Sequence, residues 1–368
     1  MPHQLYKNSS ISGRYLSYES LRKCLVDFEN FKIDALEGMS VLGQTIPVYE
    51  FGKGQTKILL WSQMHGNEST TTKALLDVFN YLASSHEEAK TLLSSLQFVI
   101  VPMLNPDGAN AYTRVNANEV DLNRDFVALS QPESRFLVSV FEKCQPQFCF
   151  NLHDQRTIFS VGDTSLPATV SFLGPAADAK RTVTPARRIS MQLIAAINKQ
   201  LQNYIPGQVG RYDDMYNENC AGDHFQSQGV PTLLFEAGHT GTDYQREETR
   251  AWVYESLLAS FKAINNQTYM GFSEQNYMEI PENQKNHLDV KILHAELVNS
   301  KIDKNTRLAC QYEERLEQGK IAFIPKIITL ETDSLNYFHN TLDFSIDTPS
   351  DQAIVNQSIS DKLKTLGV

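Results

Sequence analysis

The stretch KILLWSQMHGNESTTTKALLDVFNYL, residues 57–82, changes character twice within a few positions. Its first seven residues are mostly apolar and fit a short buried strand. From Ser69 onward, Leu75, Leu76, Phe79 and Leu82 recur at helical spacing behind Ser69 and Thr70, two hydroxyl residues suited to capping a helix. Between strand and helix stand His65, Gly66, Asn67 and Glu68. Gly66 allows a tight turn, and His65 and Glu68 are residue types that bind metal ions.

The same alternation runs through the next two hundred residues. LQFVIVPML (96–104), QFCFNLH (147–153) and VPTLLFEAG (230–238) read as strands. PESRFLVSVFEKC, PARRISMQLIAAINKQL and a segment from about Arg246 to Ala263 read as helices between and after them. Strands apolar on both faces and separated by helices predict an α/β fold with a mixed, largely parallel twisted sheet covered by helices on both sides. In such a sheet ligands bind beyond the carboxyl ends of the strands. His65 and Glu68, Asn105 and Asp107, His153 and Asp154, and Glu236 all follow or end one of these runs, so one edge of the sheet is the expected active site.

The composition fits a large globular chain: 368 residues, 41% hydrophobic and 21% charged. Lys and Arg number 33 against 43 Asp and Glu, a balance of −10 that argues against nucleic acid or an anionic membrane surface as a partner. Neither a signal-like first segment nor a run of ~20 apolar residues is seen, so a cytoplasmic protein without a membrane span is expected. The cysteines number 5 without a C-x-x-C pair, which suggests neither a disulfide framework nor a thiolate zinc site. Oligomeric state is left open.

From Thr268 the pattern becomes polar, with Pro281 in TYMGFSEQNYMEIPENQKNHLDV. The expected organisation is a catalytic domain over 1–267, a connector over 268–284 and a small, mainly β domain over 285–368. Within the last, VKILHAELV, GKIAFIPKIITLE and LDFSID read as strands and CQYEERLEQ as a helix.

Two imidazoles and one carboxylate, His65, His153 and Glu68, are the donor set of a catalytic zinc, which keeps a fourth position open. In NPDGANAYTRVNANEVDLNRDF (105–126), Arg114 and Arg124 suit the gripping of a carboxylate. Through HGNE, NPDG, DLNRDF, NLH and FEAG, in that order over roughly residues 40–265, the chain resembles the zinc carboxypeptidases of the carboxypeptidase A superfamily. The resemblance implies one Zn2+ per chain held by His65, Glu68 and His153, with Asp121 hydrogen-bonded to the first ligand His. It further implies Asn123 and Arg124 on the substrate's terminal carboxylate, Arg114 on the scissile carbonyl and Glu236 as the general base. A mobile Tyr of the family matches Tyr216, with Tyr212 as competitor. Gly222 falls where relatives set their pocket preference, so no charge is expected there, and Arg211, Arg156 or His224 is left to receive an acidic side chain.

The activity implied is hydrolysis of a C-terminal peptide or peptide-like amide bond, on a peptide or small amide substrate with a free carboxylate. Two alternatives are an N-acyl amino acid amidohydrolase similar to succinylglutamate desuccinylase and aspartoacylase, and a non-catalytic binding protein on the same scaffold.

Overall fold

The computed structural model describes residues 3–331, 336–346 and 353–365. The chain lays down β1 (Lys32–Met39), β2 (Thr45–Phe51), β3 (Thr56–Ser62), β4 (Leu96–Val101) and β5 (Phe148–Asp154). A short β6 (Ser160–Val161) precedes β7 (Val170–Leu173), β8 (Val209–Arg211) and β9 (Thr232–Ala237). All but β6 join an 8-stranded sheet in the order β1-β2-β4-β3-β5-β9-β7-β8. Its centre, β4-β3-β5-β9, is parallel. The strands beside it, β2 against β4 and β7 against β9, are antiparallel.

Alternation along β3 explains why the sheet is buried twice. Ile58 and Leu60 enter one core with the helices Thr70–Leu82, Pro185–Leu201 and Glu247–Asn265. Leu59 and Trp61 enter the other, with Leu137, Val140 and Phe141 of the helix Pro132–Cys144. These side chains are at most 6% exposed, and each such burial contributes ~1.5–3 kcal/mol. After β3 the chain forms β4 on one side and then returns to form β5 on the other. That reversal opens a crevice at the carboxyl ends of β3 and β5, where an open α/β sheet binds its ligand.

The start of the first long helix differs from expectation. Ser69 occupies the N-cap position, but its hydroxyl donates to the Arg14 carbonyl at 2.6 Å instead of capping. Asp154, at the end of β5, takes over: its carboxylate accepts from the Thr70 and Thr71 amides at 2.9 and 3.2 Å. A carboxylate at the positive end of a helix satisfies two orphan donors and ties the helix to the strand that carries His153.

Residues 268–284, expected as a connector, carry the short helices Thr268–Gly271 and Glu274–Met278. Tyr269, Tyr277 and Ile280 are buried in the first core, and β10 (Asn283–Gln284) pairs with β6. Beyond lie β11 (His287–Leu293), β12 (Leu308–Glu317), β13 (Lys320–Thr329) and β14 (Tyr337–Asp343), a 4-stranded sheet in the order β13-β12-β11-β14. The segment expected as a helix, CQYEERLEQ, lies in β12 up to Glu317, and these residues pair one by one with β13. The hairpin turns at Gln318 and Gly319, both left-handed at φ 49° and 76°, which is the geometry of a tight two-residue turn. Only Leu342 and Asp343 of LDFSID are in a strand, and Asp347 lies outside the described residues, as do 332–335, 348–352 and 366–368 of the expected C-terminal domain.

Histidines tie this sheet to the larger one. His339 Nε2 donates to the Thr157 carbonyl at 2.7 Å, and its ring packs on His287 at 4.6 Å and on His239 at 4.4 Å. Burial pushes His287 and His339 each down to about 4. Unfolded, both titrate near ~6.5, so below that pH the unfolded chain binds more protons. The stability they contribute is therefore complete above about 6.5 and is lost as the pH falls through about 4. The melting temperature is expected to drop over that window, and a His287→Phe/His339→Phe chain should show a shallower drop; equal slopes in a pH series of melting curves would contradict this.

Candidate metal centre

Three residues turn their ligand atoms to one point at the mouth of the crevice. Single donor atoms of His65, Glu68 and His153 all lie within 4.8 Å of one another, and all three residues are buried. His65 and Glu68 sit in the loop after β3, where Gly66 is required: a Cβ there would lie 1.9 Å from the Gly108 carbonyl carbon. Asn105 and Asp107 hold the facing loop and stay out of the centre. Asn105 Nδ2 donates to the Met64 carbonyl at 3.1 Å, and Asp107 accepts from the Ser40 hydroxyl at 2.8 Å and the Leu42 amide at 2.9 Å.

The donor set fits a cation. His65 Nε2 lies 3.0 Å from Asp121 Oδ1, and a carboxylate partner places the ring proton on that nitrogen. His65 Nδ1 then presents a lone pair 2.8 Å from Glu68 Oε1 and 3.1 Å from His153 Nδ1, which itself lies 2.9 Å from Glu68 Oε2. A cation among these atoms would satisfy both nitrogens and the carboxylate together. Donors on a tetrahedral zinc with ~2.0–2.1 Å bonds stand ~3.3 Å apart, close to the spacing of the two nitrogens.

The neighbouring groups sharpen the charge pattern. Arg114 donates through Nε to Asp121 Oδ2 at 3.0 Å and through a terminal nitrogen to Glu68 Oε1 at 3.3 Å. Burial pushes the Asp121 carboxyl up, but His65 and Arg114 outweigh it and hold it well below the usual carboxylate range. Glu236 lies directly beside His153 in the parallel β5–β9 register. Its Oε2 is buried with no hydrogen-bond partner. Burial pushes this carboxyl well above the usual range, and the Glu68 and Asp154 carboxylates push the same way.

The remaining sequence candidates lie around this centre. Asn123 Oδ1 accepts from the Ala221 amide at 2.9 Å, and exposed Arg124 reaches Cys220 Sγ at 3.1 Å, so the pair lines the edge formed with residues 220–221. Of the two tyrosines, Tyr212 is the one whose hydroxyl feels the centre: burial, Glu236 and Glu68 all push it up. The Tyr216 hydroxyl is raised by burial and by Glu218, Asp223 and Asp178 instead.

Two of the three cations considered for an acidic side chain are engaged elsewhere. Arg211 is buried, donates to the Ile280 carbonyl at 3.3 Å and lies over the Tyr277 ring at 5.5 Å. His224 packs against Phe126 and Phe225. Arg156 remains exposed. Beside Gly222, Asp223 is buried, and burial pushes its carboxyl up to about 7, toward the neutral form. Asp154 also forms an ion pair with Arg14 at 2.6 Å, which no local pattern announces.

A His–Glu–His cluster at the switch point of a mixed α/β sheet, with an unpartnered carboxyl on the next strand, defines the site of a metalloenzyme. A family model described as zinc carboxypeptidase matches residues 32–257, and the chain belongs to that family. Probable carboxypeptidase 2 of Arthroderma benhamiae is 30% identical over 113 residues, which are 30% of this chain and 21% of the relative. Carboxypeptidase M of Mus musculus is 29% identical over 165 residues, 39% of this chain and 35% of the relative. The matched stretch thus spans about a fifth to a third of the length of these relatives. Among solved structures, a metallo-carboxypeptidase from Pseudomonas aeruginosa superposes with a TM-score of 0.55 at 16% identity, over 68% of this chain and 69% of that one. One from Burkholderia cenocepacia gives 0.54 at 19% identity, over 69% and 70%. The family match favours the carboxypeptidase reading over both alternatives.

Proposed function

We propose that the chain is a zinc-dependent metallocarboxypeptidase that releases one residue from the C-terminus of a peptide or peptide-like amide. The observation that carries this reading is the convergence of His65 Nδ1, His153 Nδ1 and the Glu68 carboxylate, with Glu236 in register beside His153. One Zn2+ per chain, held by those three, would act as a Lewis acid on the scissile carbonyl and lower the pKa of water.

The chain's own groups do the rest. Glu236 takes the proton of the attacking water and delivers it to the leaving amine, a task that requires a carboxylate with no competing partner. Arg114, already within reach of Glu68, turns its guanidinium to the developing oxyanion. Asn123 and Arg124 hold the substrate's terminal carboxylate at the edge near Cys220. Asp121 keeps the His65 proton on Nε2, so that Nδ1 stays a ligand. Tyr212 suits the substrate-side tyrosine better than Tyr216, since its hydroxyl feels Glu236 and Glu68.

A panel of peptides with free and amidated C-termini, together with N-acyl amino acids, tests the assignment. The zinc-loaded protein should release one terminal residue, and amidation should lower kcat/KM about 10²-fold by leaving Arg124 without its carboxylate. Equal turnover of free and amidated peptides would remove the clamp from the account.

A further inference from the structure

Next to the metal ligands opens a cavity of about 380 Å³ whose far wall is the C-terminal sheet. Glu68, Arg114 and Arg156 line it together with Tyr312, Phe323 and Lys326 of β12 and β13. The residues contributed by β12 and β13 lie outside the 32–257 stretch that matches the family. Neither Asn123, Arg124 nor Cys220 borders the cavity. It therefore opens beside the metal centre and apart from the carboxylate clamp, in space left for the part of a substrate beyond the clamped residue.

The wall is fixed in place. Glu314 of β12 accepts from Arg14 Nε at 3.1 Å and from the Tyr112 hydroxyl, while Arg14 also pairs with Asp154, next to His153. Gln311 Nε2 donates to Thr157 Oγ1 at 2.9 Å and to Asp289 Oδ2 at 2.5 Å. The wall sets a cluster of aromatic rings among the charged side chains Glu313, Glu314 and Lys326. Tyr312 and Phe323 pack edge-to-face with ring centres 6.1 Å apart, and Tyr244 packs against both at 5.2 and 5.4 Å. The Tyr312 hydroxyl and Gln311 Oε1 are buried without hydrogen-bond partners, one a free donor and the other a free acceptor. A peptide unit supplies the complementary C=O and N–H, and the rings offer an apolar face to a side chain.

We propose that the C-terminal sheet builds a subsite for the residue upstream of the cleaved bond, selecting peptidyl substrates with an aromatic or bulky apolar side chain there over single N-acyl amino acids. This rests on the reading of Asn123 and Arg124 as the clamp that sets substrate direction. A cavity of this volume takes about one such residue with its backbone.

The test compares acetyl-Phe-X, acetyl-Asp-X and acetyl-X, where X is a leaving residue that the enzyme accepts. Wild-type kcat/KM should be about ten-fold higher for acetyl-Phe-X than for the other two. Phe323→Ala and Tyr312→Ala should each cut that ratio about five-fold or more, lowering the Phe substrate further than acetyl-X. Tyr312→Phe, which keeps the ring and removes only the hydroxyl, covers the case in which the alanine variant fails to fold. It should weaken both dipeptide substrates relative to acetyl-X. Calorimetric titration of the same three compounds into Glu236→Gln reads the subsite without turnover, and acetyl-Phe-X should bind about ten-fold tighter than acetyl-X. That difference should vanish when Phe323→Ala is added. A binding preference in Glu236→Gln with no turnover by the wild type would overturn the proposed activity and keep the subsite. Ratios unchanged within about two-fold in folded Phe323→Ala and Tyr312→Phe, in both measurements, would overturn the subsite.

Discussion

Glu236→Gln is expected to lower kcat by ~10²- to 10⁴-fold while metal content and melting temperature hold. The large effect follows from the role: without a carboxylate beside His153 nothing takes up the proton of the attacking water or returns one to the amine. The small structural effect follows from the surroundings. Glu236 Oε2 has no hydrogen bond to lose, and the Glu68 and Asp154 carboxylates already disfavour its charge, so the neutral amide relieves repulsion at nearly the same volume. Steady-state kinetics, metal analysis and a melting curve on one preparation separate the two effects. A variant with full turnover would assign the base elsewhere, and one that loses its metal would make Glu236 a structural partner of the ligands.

His153→Ala should lose both metal and turnover. His153 is 2% exposed and supplies one of the three donors that meet within 4.8 Å. Two donors, one of them a carboxylate already held by Arg114, leave the ion bound weakly enough to dialyse away. Because an ion bound only to the folded state stabilises it, by ~4 kcal/mol at a free concentration a thousand times Kd, chelation should lower the wild-type melting temperature. The His153→Ala chain should melt at one temperature with or without added zinc. A zinc-dependent shift that survives the substitution would contradict the ligand set.

The central α/β architecture was legible in the sequence because its determinants are local. β3 is apolar on both faces, the next helix carries its leucines at helical spacing, and His65, His153 and Glu236 each end or follow an apolar run. What the sequence hid depends on long-range pairing. CQYEERLEQ is rich in residues that favour helices, yet β13 offers it a complete antiparallel register after a two-residue turn, and tertiary pairing overrides propensity. Arg14 and Glu314 stand 300 residues apart, so no local pattern announces the ion pair that seats the C-terminal sheet beside the metal centre. The cap of the first helix was misassigned for the same reason: Ser69 and Thr70 look like caps, but the carboxylate that serves arrives from Asp154. Tyr212 packs on Phe159 near Glu236 and Glu68, whereas Tyr216 lies among Glu218, Asp223 and Asp178, a distinction with no signature in the order of residues.

The measurement that bears most directly on the account is anomalous X-ray scattering at the zinc absorption edge from crystals of the zinc-loaded protein. One peak per chain is expected, within bonding distance of His65 Nδ1, His153 Nδ1 and the Glu68 carboxylate, with the Glu236 carboxyl next to it. No peak at that point, or an ion held by other side chains with His65 and His153 turned apart, would contradict it.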